Sequence, residues 1–463
     1  MYHEPQPLEK YLCTELDCDC GRRHYVPIRA VEIGPGVLKT LPDYVQRFHY
    51  QRPYILCDEI TWKIAGQRCA ELLHEAGIDA CPHILQHTGF DEATLGEIVV
   101  SVPADADLMI GVGTGSITDM TRYSSFRLGL PCFTVATGAP MDGFAASIGI
   151  MNVGGLKRTM QAHSTELIIG DTDILKNAPF RMTVAGFGDL IGKLTCLNDW
   201  KLSRIINDEH YCAPIVELVQ ACLDRVMEKA PLIAERDPAV LGSVMEGLVL
   251  SGAAISLYGS SRPASGAEHH MSHFWEVVNE QQGTPGAMHG EQVAVGTVLV
   301  LMLAEELRRT QVDFDAARAD AACFDEQAWE REIRRCYGSA AQEALDMEAK
   351  AHKNAVPERL KRINSMQQHW DEILQQLSSL PEADSLRRLL RQVGCPSLPE
   401  EIGIDEALLR DTFRYAKETR ARYTLLQLVF DLGLTDVFTD RVIERLRRIS
   451  PEISVLAQKP QAE

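Results

Sequence analysis

Four short apolar runs, Tyr54–Cys57, Leu108–Val112, Cys132–Ala136 and Leu167–Ile169, punctuate the first 170 or so residues, and each is followed at once by Asp, Gly or Thr. Short apolar runs separated by segments of helical spacing are the rhythm of a parallel α/β layer. An open parallel sheet binds its ligands at the carboxyl ends of its strands, so the residues just after each run are where chemistry is expected. Beyond about Phe180 such runs stop, and stretches rich in Leu, Ala, Glu, Arg and Gln continue at helical spacing. The expected architecture is a Rossmann-like α/β domain over 1–179 followed by an all-α domain over 180–463. Pro396–Pro399 breaks the second part before a last helical unit, Ile404–Ile449, so about 400–463 forms a helical extension. The charge-dense stretches Glu305–Arg318 and Ala340–Gln376 read as solvated outer helix faces.

Composition narrows the class. A chain of 463 residues, 45% of them hydrophobic, is too long for one small core and favours two domains. A net charge of −19 argues against nucleic acid or an anionic membrane as the main partner. It leaves a small anionic substrate open, because local basic groups can hold one phosphate. No run of eighteen or more apolar residues occurs, and Met1-Tyr2-His3-Glu4-Pro5 lacks the basic-then-apolar pattern of a signal peptide. A cytoplasmic location without a membrane span is therefore expected. Thirteen cysteines without a repeated spacing suit a reducing compartment better than a disulfide framework.

The densest chemistry lies in Ser260-Ser261-Arg262-Pro263-Ala264-Ser265-Gly266-Ala267-Glu268-His269-His270-Met271-Ser272-His273, with His289-Gly290-Glu291 following. His269 and His273 are four apart and share one face of a helix, whereas His270 points elsewhere. A carboxylate at the boundary between the two halves, Asp189 in Gly186-Phe187-Gly188-Asp189, complements them. Asp189, His269 and His289 give one oxygen and two imidazole nitrogens, a set suited to Zn²⁺, Ni²⁺, Co²⁺ or Fe²⁺ with a position left for substrate.

Upstream, Gly111-Val112-Gly113-Thr114-Gly115-Ser116-Ile117-Thr118-Asp119 follows a strand and opens a helix, where backbone N–H groups can approach a pyrophosphate. A tight turn without ligand is the competing reading. Asp58, at the end of the Tyr54–Cys57 run, is placed to accept from ribose hydroxyls, or else to cap a helix. Thr137-Gly138-Ala139-Pro140-Met141-Asp142-Gly143 forms a third strand-end loop. Cys13, Cys18, Cys20 and His24 could bind zinc, but Cys-x-Cys is not the spacing of common zinc knuckles, and the sequence favours a small loop-forming motif.

The order of Gly-rich turn, Met-Asp-Gly-Phe, Gly-Phe-Gly-Asp-Leu, Ser-Arg-Pro-Ala-Ser-Gly-x-Glu-His-x-x-Ser-His and His-Gly-Glu-Gln-Val resembles the sn-glycerol-1-phosphate dehydrogenases. These belong to the superfamily of glycerol dehydrogenase, iron-containing alcohol dehydrogenases and dehydroquinate synthase. The Cys18-x-Cys20-Gly21-Arg22-x-His24 motif and Arg420-Ala421-Arg422-Tyr423-Thr424-Leu425-Leu426-Gln427 look like the bacterial branch.

The resemblance implies a dehydroquinate synthase-like fold and a metal-dependent homodimer. Its reaction would be reversible reduction of dihydroxyacetone phosphate to sn-glycerol 1-phosphate with NADH or NADPH, supplying the backbone of archaeal-type ether lipids. Carried over by matching positions, Asp58, Gly115, Ser116, Ile117, Thr118, Asp119, Thr137, Gly138, Ala139 and Pro140 bind NAD or NADP. Asp189, His269 and His289 hold one divalent ion, Ni²⁺ or Zn²⁺ with Fe²⁺ as a further option. Asp142, Asp189 and His273 contact substrate and make up the catalytic set, with His273 as proton relay. Two positions depart from the family pattern: Pro140 replaces a serine in the third loop, and Ala146 stands where a serine is common.

The nearest candidate donors for a substrate phosphate are Arg262, Lys193, Ser260, Ser261 and Ser265. Asp58 disfavours a 2′-phosphate by charge, unless Lys63 or Arg68 offsets it. The alternatives are a glycerol or other polyol dehydrogenase, a dehydroquinate-synthase-like lyase, and a non-catalytic paralogue.

Overall fold

The computed structural model describes residues 11–449 apart from 17, 88, 154 and 155, with the backbone alone at 156–158. The outermost part of the helical extension, 450–463, and the first ten residues lie outside the described residues. By its internal contacts the chain forms two compact units, 1–190 with 212–263, and 191–211 with 264–463.

The first unit is built on six parallel strands: β1 (Ala30–Gly34), β2 (Pro53–Asp58), β3 (Cys81–Leu85), β4 (Leu108–Gly113), β5 (Cys132–Ala136) and, after a hairpin, β8 (Leu167–Asp171). Their order across the sheet is β1-β8-β5-β4-β2-β3. The hairpin is antiparallel, β6 (Ile148–Val153) with β7 (Leu156–Gln161). The four strands read from sequence are the four central ones. Each is apolar on both faces because both faces are covered. Ile55, Ile110, Val112, Phe133, Val135, Leu167 and Ile169 point into one core with Leu41, Val45, Cys69 and Leu73. Tyr54, Leu56, Met109 and Cys132 point into the other with Ile98, Ile117 and Met120.

Two helices from the second half of the chain, Ala213–Lys229 and Pro238–Tyr258, group with this sheet rather than with the helical unit. The boundary expected near residue 180 and these units thus differ over 180–190 and 212–263. Pro238–Tyr258 packs on β1 and on the turn Gly143–Ala145, which explains its apolar surface. It is long and apolar enough to cross a membrane, with a mean hydropathy of 1.7 over an 18-residue window, and 78% of that window is buried inside the protein.

The second unit is entirely helical among its described residues. At its centre lie Ala267–Gln282 and His289–Arg309, the latter buried along most of its length. The expected solvated faces are not uniformly solvated: Glu305, Arg359 and Arg362 are buried. Pairing makes this tolerable. Arg362 grips the fully buried Asp431 with two bonds of 2.6 and 2.9 Å, and Glu305 accepts from Arg445 at 2.5 Å and from the Ala383 N–H at 2.7 Å. Glu418 pairs with Lys353 at 2.9 Å and with Lys417. Burial works against the Glu418 charge, but the two ammonium groups win and hold its carboxyl down at about 2.

In the first unit the helix Phe180–Ile191 meets the third strand-end loop backbone to backbone. A Cβ at Gly186 would lie 2.0 Å from the Ala139 carbonyl oxygen and 3.0 Å from Leu248 Cδ1. The nearer neighbour is main chain and cannot swing away. Gly186→Ala is expected to lower unfolding stability by about 1–3 kcal/mol, measured by denaturant titration with the slope unchanged. Stability equal to the parent protein would show that the helix can shift without cost.

Candidate functional site

Thr114 and Gly115 begin the helix Gly115–Leu128 directly after β4, and among the described residues no side chain caps its first turn. The Thr118 N–H is the first bound within the helix, to the Thr114 carbonyl. The N–H groups ahead of it, on Gly115, Ser116 and Ile117, therefore offer donors at the positive end of the helix dipole. That donor set suits a pyrophosphate. Asp119, in the same run, is engaged elsewhere: it accepts from Arg122 and from the Ile150 N–H at 3.0 Å, tying the helix to the hairpin. Burial raises its pKa above the ordinary carboxyl value against the pull of Arg122.

Asp58 ends β2 and caps the next turn. Its Oδ1 accepts from the N–H groups of Ile60 at 2.9 Å and Thr61 at 2.7 Å, while the Thr61 hydroxyl accepts from the Asp58 N–H at 3.0 Å. Capping and ribose recognition are compatible, because capping uses one carboxylate oxygen. Arg68 is drawn onto its own helix, with Glu75 at 2.9 Å and Glu71 at 3.3 Å.

The third loop is fixed from several sides. The Thr137 N–H donates to the Gly113 carbonyl at 3.1 Å. The Asp142 N–H donates to Asp189 Oδ2 at 2.9 Å, and the Ser251 hydroxyl donates to Asp142 Oδ2 at 2.7 Å. Buried Arg122 reaches over to the carbonyls of Gly143 and of Ala146, the latter at 2.8 Å. Asp142 and the fully buried Asp189 are thus brought together. Arg122 and Ser251 were not legible as site residues, since nothing in their own sequence neighbourhood points to a loop 21 to 109 residues away.

In the helical unit, His269 and His273 lie on Ala267–Gln282, and His289 is the first residue of the following helix. Buried Asp199 accepts from the Ala267 N–H at 2.7 Å, and Glu268 Oε1 accepts from the Gly266 N–H at 2.6 Å, so carboxylates anchor the start of the first helix. Glu291 accepts from the Met288 N–H at 2.9 Å and starts the second. Gly296 sets the spacing between them: a Cβ there would sit 2.8 Å from the Glu268 carbonyl oxygen. The three rings gather, with centroids 5.3 Å apart for His269 and His289, 5.5 Å for His273 and His289, and 6.1 Å for His269 and His273.

Two glutamates that the histidine pattern did not reveal orient these rings. Glu268 Oε1 lies 2.8 Å from His269 Nδ1, and Glu276 Oε1 lies 2.9 Å from His289 Nδ1. An ionised carboxylate only accepts, so each Nδ1 carries the proton and each Nε2 keeps its lone pair. Carboxylate-oriented imidazoles of this kind are the usual support of metal-ligating histidines. Burial opposes both charges, yet the histidine bonds outweigh it: Glu268 stays below the usual carboxyl range and Glu276 well below. Glu276 Oε2 also reaches His273 Nδ1 at 3.4 Å, and burial pushes His273 down to about 4, leaving a neutral ring. His270 is wholly buried, with neither ring nitrogen hydrogen-bonded among the described residues, apart from the other three. Lys193, a candidate phosphate donor, is buried and donates to the Ala264 carbonyl at 3.1 Å, and Arg262 is buried as well.

The iron-containing alcohol dehydrogenase family model matches residues 32–179. Among solved structures, glycerol dehydrogenase from Schizosaccharomyces pombe is similar in fold, with a TM-score of 0.60 at 15% identity, covering 92% of each chain. A glycerol-1-phosphate dehydrogenase (NAD(P)+) of Halalkalibacterium halodurans is 29% identical over 416 residues, 89% of this chain and 94% of the relative. The glycerol-1-phosphate dehydrogenase (NAD(P)+) of Bacillus subtilis is 30% identical over 411 residues, 87% of this chain and 92% of the relative. Similarity at that level over nearly the whole of both chains places this protein in the glycerol-1-phosphate dehydrogenase family.

Proposed function

We propose that this oxidoreductase reversibly reduces dihydroxyacetone phosphate to sn-glycerol 1-phosphate with a nicotinamide cofactor, feeding ether lipid backbone synthesis. One divalent cation would be held by Asp189, His269 and His289. The observation that carries the reading is the pair Glu268–His269 and Glu276–His289, which sets two lone pairs beside each other on helices held at fixed spacing. Two imidazoles and a carboxylate fit Zn²⁺, Ni²⁺ or Fe²⁺ alike. A homodimer working in the cytoplasm is part of the same reading.

When bound, the cation polarises the substrate carbonyl and the reduced nicotinamide supplies the hydride. The chain's own residues position and protonate. Asp142, held by Ser251, orients the substrate hydroxyl beside Asp189. His273 relays the proton to the forming alcohol, its ring kept in place by Glu276. The uncapped start of Gly115–Leu128, with Thr137 to Pro140 alongside, receives the cofactor's pyrophosphate, and Asp58 receives its ribose.

Arg68 is paired with Glu71 and Glu75, which leaves Lys63 as the other candidate to offset Asp58; the charge of Asp58 favours NADH as the donor. Asn caps helices as well as Asp does. Asp58→Asn is therefore expected to leave thermal stability unchanged while raising the NADPH-to-NADH ratio of kcat/KM roughly tenfold, about 1.4 kcal/mol. An unaltered ratio would remove Asp58 from ribose recognition.

His269→Ala or His289→Ala should lower divalent metal content by about one ion per chain and abolish turnover together in a chain that still folds. Full activity in metal-stripped parent protein would sink the metal reading. Gly296→Ala, which pushes the two helices apart, is expected to weaken metal affinity by about 10- to 100-fold, followed by competition with a chelator. In the substrate assay, dihydroxyacetone phosphate should be reduced far faster than unphosphorylated dihydroxyacetone. Equal rates would identify a polyol dehydrogenase instead.

A further inference from the structure

The amino-terminal Cys-x-Cys motif does not stand alone in the fold. Leu16 donates its N–H to the His24 carbonyl at 3.0 Å, and Glu15 bridges to Tyr25, so 15–25 closes into a small loop. Gly21, at φ +82°, turns the chain at its tip, a conformation that glycine adopts without steric cost. Cys18 and Cys20 are carried on that tip. A third thiol arrives from far along the chain: Cys212, at the start of the helix Ala213–Lys229, puts its Sγ 3.4 Å from Cys18 Sγ. The fourth group is His24, whose Nε2 lies 3.0 Å from Cys20 Sγ. Among these four residues, all in the first unit, one ligand atom of each lies within 4.8 Å of every other. Exposed Cys13, grouped with them by sequence proximity, instead directs its thiol at the Ile28 carbonyl, 3.4 Å away.

The imidazole is already prepared as a ligand. His24 is 1% exposed, and its Nδ1 lies 2.7 Å from the Leu257 carbonyl oxygen. A carbonyl only accepts, so Nδ1 carries the proton and the Nε2 lone pair faces the sulfurs. The Cys20 N–H points at Cys18 Sγ from 3.3 Å, as befits a thiolate. Cys212 sits at a helix amino terminus, where negative charge on sulfur is favoured. A tetrahedral zinc ion, at about 2.3 Å from sulfur and about 2.0–2.1 Å from nitrogen, spaces its ligand atoms roughly 3.5–3.8 Å apart, within the range seen here. A disulfide would require two sulfurs at about 2.05 Å and would leave the third thiol and the prepared imidazole unused.

We infer that Cys18, Cys20, His24 and Cys212 form a closed structural Zn²⁺ site, separate from the catalytic set. Four protein ligands leave no position for substrate, so the ion is a staple. It ties the amino-terminal loop to the start of Ala213–Lys229 and, through His24, to the end of Pro238–Tyr258.

Cobalt substitution of the full-length enzyme tests this, because thiolate ligation gives a charge-transfer absorption in the near ultraviolet that an Asp-His-His site lacks. The parent chain and a His269→Ala, His289→Ala double variant should both show the band, at about one cobalt per chain for the latter. Cys18→Ser and Cys212→Ser should each lose it and melt at lower temperature. A mercurial titration of the unaltered zinc protein, releasing about one zinc per chain to a chromogenic chelator, gives the same answer without any variant. Absence of the band in the cobalt-loaded parent chain, or a Cys18–Cys212 disulfide in peptide maps of the protein as isolated, overturns the assignment.

Discussion

Two helices come against the chemistry-bearing backbone of this protein at points where a side chain is missing. Gly186 lets the helix that carries Asp189 rest on the Ala139 carbonyl, and Gly296 lets the helix headed by His289 rest on the Glu268 carbonyl. In each case the closest atom to an added Cβ is main chain, which cannot swing aside as the end of a side chain can. The consequence is geometric. The Asp142 N–H donates to Asp189 across 2.9 Å, and the rings of His269 and His289 are held at 5.3 Å. Neither relationship would survive helices spaced by ordinary side-chain packing.

Charge is placed on this scaffold with support at each step. Asp199 and Glu268 neutralise the start of the histidine helix, Glu268 and Glu276 orient two imidazoles, and Glu276 divides its oxygens between His289 and His273. Buried carboxylates of this kind stay ionised only because each finds several donors. Elsewhere in the helical unit the same rule stabilises Glu418 between Lys353 and Lys417, and Asp431 in the fork of Arg362. Segments that look like solvated charge in the sequence are in part the ionic interior of this unit.

Legibility of the fold followed burial. The four central strands are continuous apolar runs because both of their faces are covered, and their sequences announce it. The edge strands carry mixed sequence, Ala30-Val31-Glu32-Ile33-Gly34 and Cys81-Pro82-His83-Ile84-Leu85, because one side of each faces no partner strand. In the hairpin, Ile148-Gly149-Ile150-Met151 is apolar but the partner strand Leu156–Gln161 carries Lys, Arg, Thr and Gln and has no apolar run to mark it. At the site, the histidines and Asp189 stood out because metal-ligating residue types are rare and closely spaced. Their supports did not, since Glu268 and Glu276 resemble any other helical glutamate until a ring nitrogen is found beside them.

The sequence by itself determined the class of each half, the ends of the four central strands, and the histidine face of one helix. These are local properties, written in periodicity and in residue type. Tertiary structure alone decided which distant groups meet. Cys212 joins Cys18 from 194 residues away, Ser251 reaches Asp142 across 109, and two helices beyond residue 212 pack with the sheet rather than with the helices around them. No spacing rule foretells such pairings, because they follow from how apolar faces and missing side chains let whole elements pack, and only then from the residues that the packing brings into reach.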